Sequence, residues 1–410
     1  MFDSIICCFM NVFERAIKKG AFIFSTTHKI GKVCDFSVYS SCMDSSEEYN
    51  TIESDRKSMV CPANYVGEKL ELEFQVLMPD SYYVKLKNAS VIGASNVVLS
   101  ANGFLLYDML SHRKTYHANI TDNGLCMLGG VPMHLGEHFV YNYYRGTVEC
   151  IDKAISLAAN MSGNYYHFMF EVASKLYYLS KLNIDKTIPL LVDEAVLKVP
   201  QMVEVLQILN SEQRKILPVK PYVKYNVGQL IVFSKPHIVV PNLMKGAIDR
   251  VENYVFDSNV LCWMRDRVLN SALGESKATP KRIFLTRKGL NKRSCNEQDL
   301  EPVLRKYDFS FIDTGMLSAV EQARLFSNAD VIVGSSGAAF TNLLFCKSGT
   351  KAIIFMPVKS SLSCFSSLAS AMGVSTVYFS DNHLSNASIH QKHFSIDVEE
   401  LEHYLENVLK

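Results

Sequence analysis

The chain has 410 residues, 42 basic against 41 acidic, and a net charge of +1. That length is too great for one small hydrophobic core and fits two domains, while the balanced charge argues against broad electrostatic binding to nucleic acid. Hydrophobic residues make up 48% of a globular composition, and the eleven cysteines include no Cys-x-x-Cys pair, so they read as reduced, buried thiols and not as a disulfide or zinc framework.

The first twenty residues place Ile5, Ile6, Phe9, Met10, Val12, Phe13, Ala16 and Ile17 on an apolar face, broken by Asp3, Glu14 and Arg15 and followed by Lys18 and Lys19. The stretch is too short and interrupted to span a bilayer and lacks the basic start of a signal peptide. It fits a helix lying on a membrane surface and equally one packed on the protein itself. The expected location is the cytoplasm, with peripheral contact at the inner face of the membrane through residues 1–20.

Residues 40–58, rich in Asp, Ser and Glu, read as a loop. From 70 to 149 the pattern is β-rich: residues 71–76 alternate, Val97 to Leu99 follow a turn, and Asn102-Gly103 signals a hairpin before Phe104. Strands are expected over 151–157, 189–192 and 229–233. Helices are expected over 166–182, 202–209 and 248–273, and a terminal one over 394–409.

Residues 282–357 alternate strand and helix with short links, which predicts a parallel α/β sheet. Ser318 and Glu321 form a capping box opening one of these helices. Such sheets bind ligands outside the carboxyl ends of their strands. Two features fall there: the basic loop carrying Arg287, Lys288, Lys292 and Arg293, and the turn Gly334-Ser335-Ser336-Gly337-Ala338-Ala339. A turn of small residues opening a helix offers main-chain N–H groups and a positive dipole end to an anion, and guanidinium groups suit bidentate phosphate contact. Either element alone fits close packing or a solvated loop; together they point to phosphate.

A second constellation is Asn164-Tyr165-Tyr166-His167 with Glu171. His167 and Glu171 are four apart, on one helix face, where either could take a proton from a hydroxyl or the two could form a hydrogen-bonded core pair. Glu297 suits a ribose hydroxyl or a helix first turn. Glu321 suits ribose or its own capping box, and Asn342 suits the turn or a ligand. No Asp-x-Asp stands in a suitable loop and the histidines are dispersed, so neither a metal nor a cofactor is expected.

The ordered run "RIFLTRKGLNKRSCNEQDL…YDFSFIDTGMLSAVEQARLFSNADVIVGSSGAAFTNLLFCKSGTKAIIFMP", with "GNYYHFMFEVASKLYYL" and, more weakly, "YYVKLKNASVIGASNVVLSANGFLLYD" upstream, resembles the family 61 glycosyltransferases over roughly residues 80–385. Capsule-type bacterial transferases, plant xylan-decorating transferases and animal protein O-GlcNAc transferases belong to that family. The resemblance implies an α/β, GT-B-like fold, two Rossmann-like domains facing a cleft, joined here to a β-rich N-terminal portion. The expected division is an N-terminal helix and linker (1–60), an acceptor domain (61–245), a donor domain (246–385) and a C-terminal helix (386–410), which GT-B chains often return to the first domain.

The activity implied is inverting, metal-independent transfer from a nucleotide-sugar, taken as a UDP-sugar, to a glycan or lipid-linked glycan acceptor in capsule or lipopolysaccharide synthesis. In that reading the diphosphate lies against Ser335, Ser336, Gly337 and Ala338 under Arg287 and Arg293. Glu297, Glu321 and Asn342 surround the nucleotide, His167 or Glu171 is the base, and Asn164 and Tyr166 line the acceptor cleft. Family members usually carry Gly-Pro-His-Gly-Ala-Gly at the turn; Ser336 here replaces the histidine and Ala339 the last glycine. Ser336 can bond a phosphate but cannot carry a proton or a positive charge. Two rival classes are a sugar-nucleotide epimerase and a non-catalytic nucleotide-sugar-binding module. A dehydrogenase is disfavoured for want of a Gly-x-Gly-x-x-Gly after a strand.

Overall fold

The computed structural model describes residues 28–108, 139–144, 146–239, 251–271, 278–287, 293–384 and 392–409. The apolar face expected over residues 1–20, and Lys288 and Lys292 of the basic loop, lie outside these residues.

The first half builds one large mixed sheet. Its strands are β1 (His28–Asp35), β2 (Glu48–Glu53), β5 (Ser81–Ile92), β6 (Val98–Leu99), β7 (Phe104–Tyr107), β8 (Phe139–Tyr143), β9 (Gly146–Ser156), β10 (Leu190–Asp193), β11 (Ile216–Val219) and β12 (Val223–Phe233); β3 (Lys57–Val60) and β4 (Phe74–Leu77) form a separate pair. The order is β11-β10-β9-β12-β5-β6-β7-β1-β8, with β2 on β5. β12 is the seam: it runs parallel to β9 on one edge and antiparallel to β5 on the other. The expected β-rich portion and the expected Rossmann-like part are therefore one sheet, only partly parallel. Asn102-Gly103 does turn a hairpin, with Gly103 at φ +81°, between the antiparallel strands β6 and β7.

Three expectations are corrected here. Residues 40–58 are not a loop: β2 pairs with β5, and the Tyr49 ring stacks on Tyr82 at 4.9 Å, which holds a polar segment in the sheet. Residues 71–76 give strand only from Phe74. The 166–182 helix is broken into an α turn (Tyr165–His167), a π turn (Phe168–Val172), a 3-10 turn (Ala173–Lys175) and a final α segment (Leu176–Lys181).

The 248–273 helix begins only at Ser258 and runs to Ser271, because Asp257 accepts hydrogen bonds from the N–H groups of Asn259 and Val260 and so caps it. Before it, β14 (Tyr254–Val255) pairs with β13 (Ile238–Val239). No helix among the described residues is long and apolar enough to cross a membrane.

The second half forms an all-parallel sheet of β15 (Arg282–Leu285), β16 (Ser310–Ile312), β17 (Val331–Ser335), β18 (Lys351–Met356) and β19 (Ser375–Ser380). Its order, β16-β15-β17-β18-β19, reverses between β15 and β17, the switch point at which sheets of this order open a crevice. Strand residues alternate between two apolar layers. Phe284, Val333, Phe355 and Phe379 meet Leu300 and Leu304 of the Glu297–Lys306 helix and Leu401 and Leu405 of the Val398–Val408 helix. Ile283, Leu285, Ile332 and Ile354 face the opposite side. Burial on both faces explains why these strands read as unbroken apolar runs.

The terminal helix, expected to return to the first domain, thus stays on the second sheet. A different segment crosses. Asn64 O accepts from Tyr378 N and Tyr378 O from Val66 N, so residues 64–66 cover the outer edge of β19 before the chain goes back to form β5. Between the two sheets lies a single apolar layer. It takes in Phe168, Phe170 and Leu176 from the first half and Phe326, Phe340, Leu343 and Phe365 from the second. Tyr166 meets Phe365 at 5.8 Å, and Phe365 meets Phe340 at 5.6 Å. Truncating so central a ring, as in Phe365→Ala, should cost about 3–5 kcal/mol. Chemical denaturation should show it as one transition for both sheets; two separate transitions would refute a shared core.

Candidate active site

The carboxyl edge of the second sheet gathers the loops that follow β15, β17 and β18. Gly334 is in β17, and a side chain there would meet Leu285 Cβ at 2.9 Å, so its smallness serves strand packing. Gly337 serves something else. A Cβ on it would fall 2.0 Å from Arg287 Nη1, so the missing side chain is what lets the guanidinium lie on the turn. Arg287 Nη1 also donates to Ser336 O at 3.4 Å.

The turn differs from the expected cradle in one respect. Ser336 N donates to Phe355 O, so that amide is spent on the β18 side and cannot contact a ligand. The Ser335, Ser336 and Thr341 hydroxyls are buried and make no hydrogen bond among the described residues, Ser335 lying near the Cys295 thiol. After Gly337 the chain enters a 3-10 helix over Ala338–Phe345, where an α-helix was expected. The N–H groups of Gly337 and Ala338 have no hydrogen-bond partner among the described residues.

Arg293 joins Arg287 at this corner. Its backbone is left-handed, φ +54°, a conformation that side-chain-bearing residues seldom keep unless the surroundings impose it. Burial pushes the Arg287 guanidinium down from its ordinary value, and the neighbouring Arg293 charge pushes it further. Arg293 is lowered by burial as well. It makes no ion pair or hydrogen bond among the described residues. Two partly desolvated cations side by side are what an anion would neutralise.

Glu297, Glu321 and Asn342 have structural employment. Glu297 accepts from Arg287 N at 2.7 Å and from Thr286 Oγ1 at 2.5 Å, so it staples the loop that presents Arg287. Glu321 closes the expected capping box with Ser318. Asn342 is fully buried: it accepts from Tyr165 OH at 3.0 Å and donates to Gln322 Oε1 at 2.6 Å, tying the first half to the second.

The first half supplies His167 and Glu171. Asn164 caps the short helix by accepting from Tyr166 N at 2.9 Å, and Tyr166 packs edge-on against His167 and Phe170. His167 Nδ1 lies 2.6 Å from Glu171 Oε1. The other Glu171 oxygen pairs with Lys235, a residue that sequence spacing gave no reason to choose, being 64 positions away. Burial opposes ionisation of Glu171, but the Lys235 charge and the His167 and Lys235 hydrogen bonds outweigh it and hold its carboxyl at about 2. So acidic a carboxyl is a poor proton acceptor. Its contact with Nδ1 fixes the orientation of the His167 ring, as a carboxylate orients an imidazole elsewhere.

Because the folded value lies below the ordinary 4.5, the stabilisation is complete above pH 4.5 and is lost as pH falls toward 2. It amounts to roughly 3 kcal/mol. Unfolding free energies measured across that range should fall more steeply for the wild type than for Glu171→Gln; parallel slopes would contradict the assignment.

Among the described residues no group of three or more His, Cys, Asp or Glu side chains is placed to hold a metal ion. No curated protein matches the chain. Residues 165–353 match the family described as Glycosyltransferase 61, a span that opens on the Tyr165–His167 turn and closes in β18, and so contains both halves of this site except Lys235's neighbours in the first sheet's outer strands. Over that span, a little under half of the chain, the protein is similar to the family 61 glycosyltransferases, which supports a glycosyltransferase activity.

Proposed function

We propose that the enzyme transfers a sugar, with inversion, from a nucleotide-sugar (a UDP-sugar) to a glycan hydroxyl, on two units arranged as in GT-B enzymes. The observation that carries this reading is the Arg287 guanidinium lying on the Gly337 turn with the Arg293 charge beside it, at the switch point of the parallel sheet. A diphosphate there would meet two guanidinium groups and the N–H groups of Gly337 and Ala338. It would thereby offset the repulsion between the two guanidinium groups.

The acceptor hydroxyl attacks the anomeric carbon from the face opposite the diphosphate. As the new C–O bond forms, the bond to the leaving phosphate oxygen breaks, and that oxygen keeps the electron pair. The hydroxyl proton passes to His167 Nε2. The negative charge growing on the phosphate is stabilised by fixed cations already in place, the work a divalent metal does in other transferases. Support for placing both groups in one site comes from packing. Tyr166, next to His167, rests on Phe365, and Cys364, which opens the same helix, is close enough to Arg293 to influence it.

Arg293→Ala should weaken donor use (kcat/KM) by about 10–100-fold, the worth of one hydrogen bond to a charged group. His167→Ala should lower kcat by about 10²–10⁴-fold with donor KM little changed. Steady-state kinetics on a panel of UDP-sugars and glycan acceptors checks both, and unaltered rates in either variant would remove that residue from the mechanism. Incubation of each UDP-sugar without acceptor separates the epimerase class, which would convert the donor alone.

A further inference from the structure

The first sheet has a switch point of its own. From β9 the chain moves outward to β10 and β11, then returns to lay β12 along the opposite edge of β9. Crevices at the carboxyl ends of strands flanking such a reversal are where parallel sheets bind ligands. A small pocket lies there, lined by Ser156 at the end of β9, Lys235 just beyond β12, and Ser95, Asn96, Asp108 and Lys175 around them.

Lys175 is 5% exposed, yet its ammonium makes no hydrogen bond or ion pair among the described residues. That is an expensive state for a buried charge. The acidic groups facing it are already engaged. Asp108 accepts from Tyr82 OH at 2.6 Å and Lys235 N at 2.7 Å. Asp193 accepts from Ala94 N at 2.6 Å and Ala159 N at 2.9 Å. Glu171 is held by Lys235 and His167. Burial pushes both aspartates up from the ordinary value, while their charges and that of Glu171 still favour the Lys175 ammonium. Lys175 is thus a buried cation lining this pocket whose donors meet no acceptor among the described residues, and after burial the Lys235 ammonium is the largest influence lowering it.

We infer that the Lys175–Lys235 pocket is a second anion site, taking a single carboxylate or phosphate group borne by the acceptor. The bearer rests on the transferase reading; the anion site does not. Lys235 touches both this pocket and Glu171, so an acidic group bound here would hold the rest of an acceptor beside His167. An acidic acceptor would be preferred over a neutral one for that reason.

Inorganic phosphate and glucuronate, titrated calorimetrically into wild type, Lys175→Met, Lys175→Arg and Arg293→Ala, test this and tell the two sources apart. Two classes of phosphate binding are expected. Lys175→Met should weaken one by tenfold or more, Lys175→Arg should retain it, and Arg293→Ala should affect only the other. The wild type gives a reading that needs no variant. Burial and Lys235 lower the Lys175 ammonium to about 8, so an anion binding beside it at pH 8 should draw in a proton, seen as a buffer-dependent heat. Lys175→Met binding both anions like wild type, or binding without proton uptake, overturns the proposal. Should UDP fail to bind while the Lys175-dependent class persists, the transferase mechanism falls and this site stands.

Discussion

Two guanidinium groups share a corner from which water is partly withdrawn, and everything at the edge of the second sheet is arranged around that fact. Burial lowers both guanidinium groups from their ordinary values, and the Arg293 charge lowers Arg287 further. The surroundings hold them there regardless. Glu297 fastens the loop of Arg287 by two hydrogen bonds, Gly337 leaves the volume its guanidinium occupies, and Arg293 sits in a left-handed backbone. Order maintained against its own electrostatics is the mark of a site prepared for a charge that arrives later.

The first sheet solves the opposite problem. Glu171 is a buried carboxylate with its counter-charge built in, Lys235 on one oxygen, while the His167 ring is hydrogen-bonded to the other. The π turn over Phe168–Val172 carries Glu171 and starts directly after His167, and such turns recur at functional positions. The helix containing them does not stand apart from the second sheet. Its aromatic side chains continue into the same apolar layer as Phe340 and Phe365, so the His167–Glu171 pair is fixed to a core shared with the second sheet. An interface so apolar limits independent movement of the two halves.

Much of this was legible in the residues. Apolar runs at 283–285, 330–334 and 351–355 announced a parallel sheet, because strands buried on both faces leave no polar alternation. Ser318 and Glu321 gave their capping box, and His167 with Glu171 their shared face, because both relations are local. What escaped was long-range. Lys235 is tied to Glu171 only by the fold, and Asn342, which looked like a ligand contact, joins Tyr165 to Gln322 across the interface. The amide of Ser336 seemed free in the sequence, yet a β18 carbonyl takes it. Residues 40–58 looked too polar for a strand; pairing along one edge of β5 needs no second buried face. The terminal helix followed its own apolar stripe, Leu401 and Leu405, onto the nearest sheet.

Crystals of the protein grown with UDP examine the central assertion directly. The account expects the diphosphate oxygens within hydrogen-bonding distance of the Arg293 guanidinium and of Gly337 N and Ala338 N, with the Arg287 guanidinium on the same group. A nucleotide bound elsewhere, or a Gly337 corner that stays closed by its own side chains at saturating UDP, would contradict it.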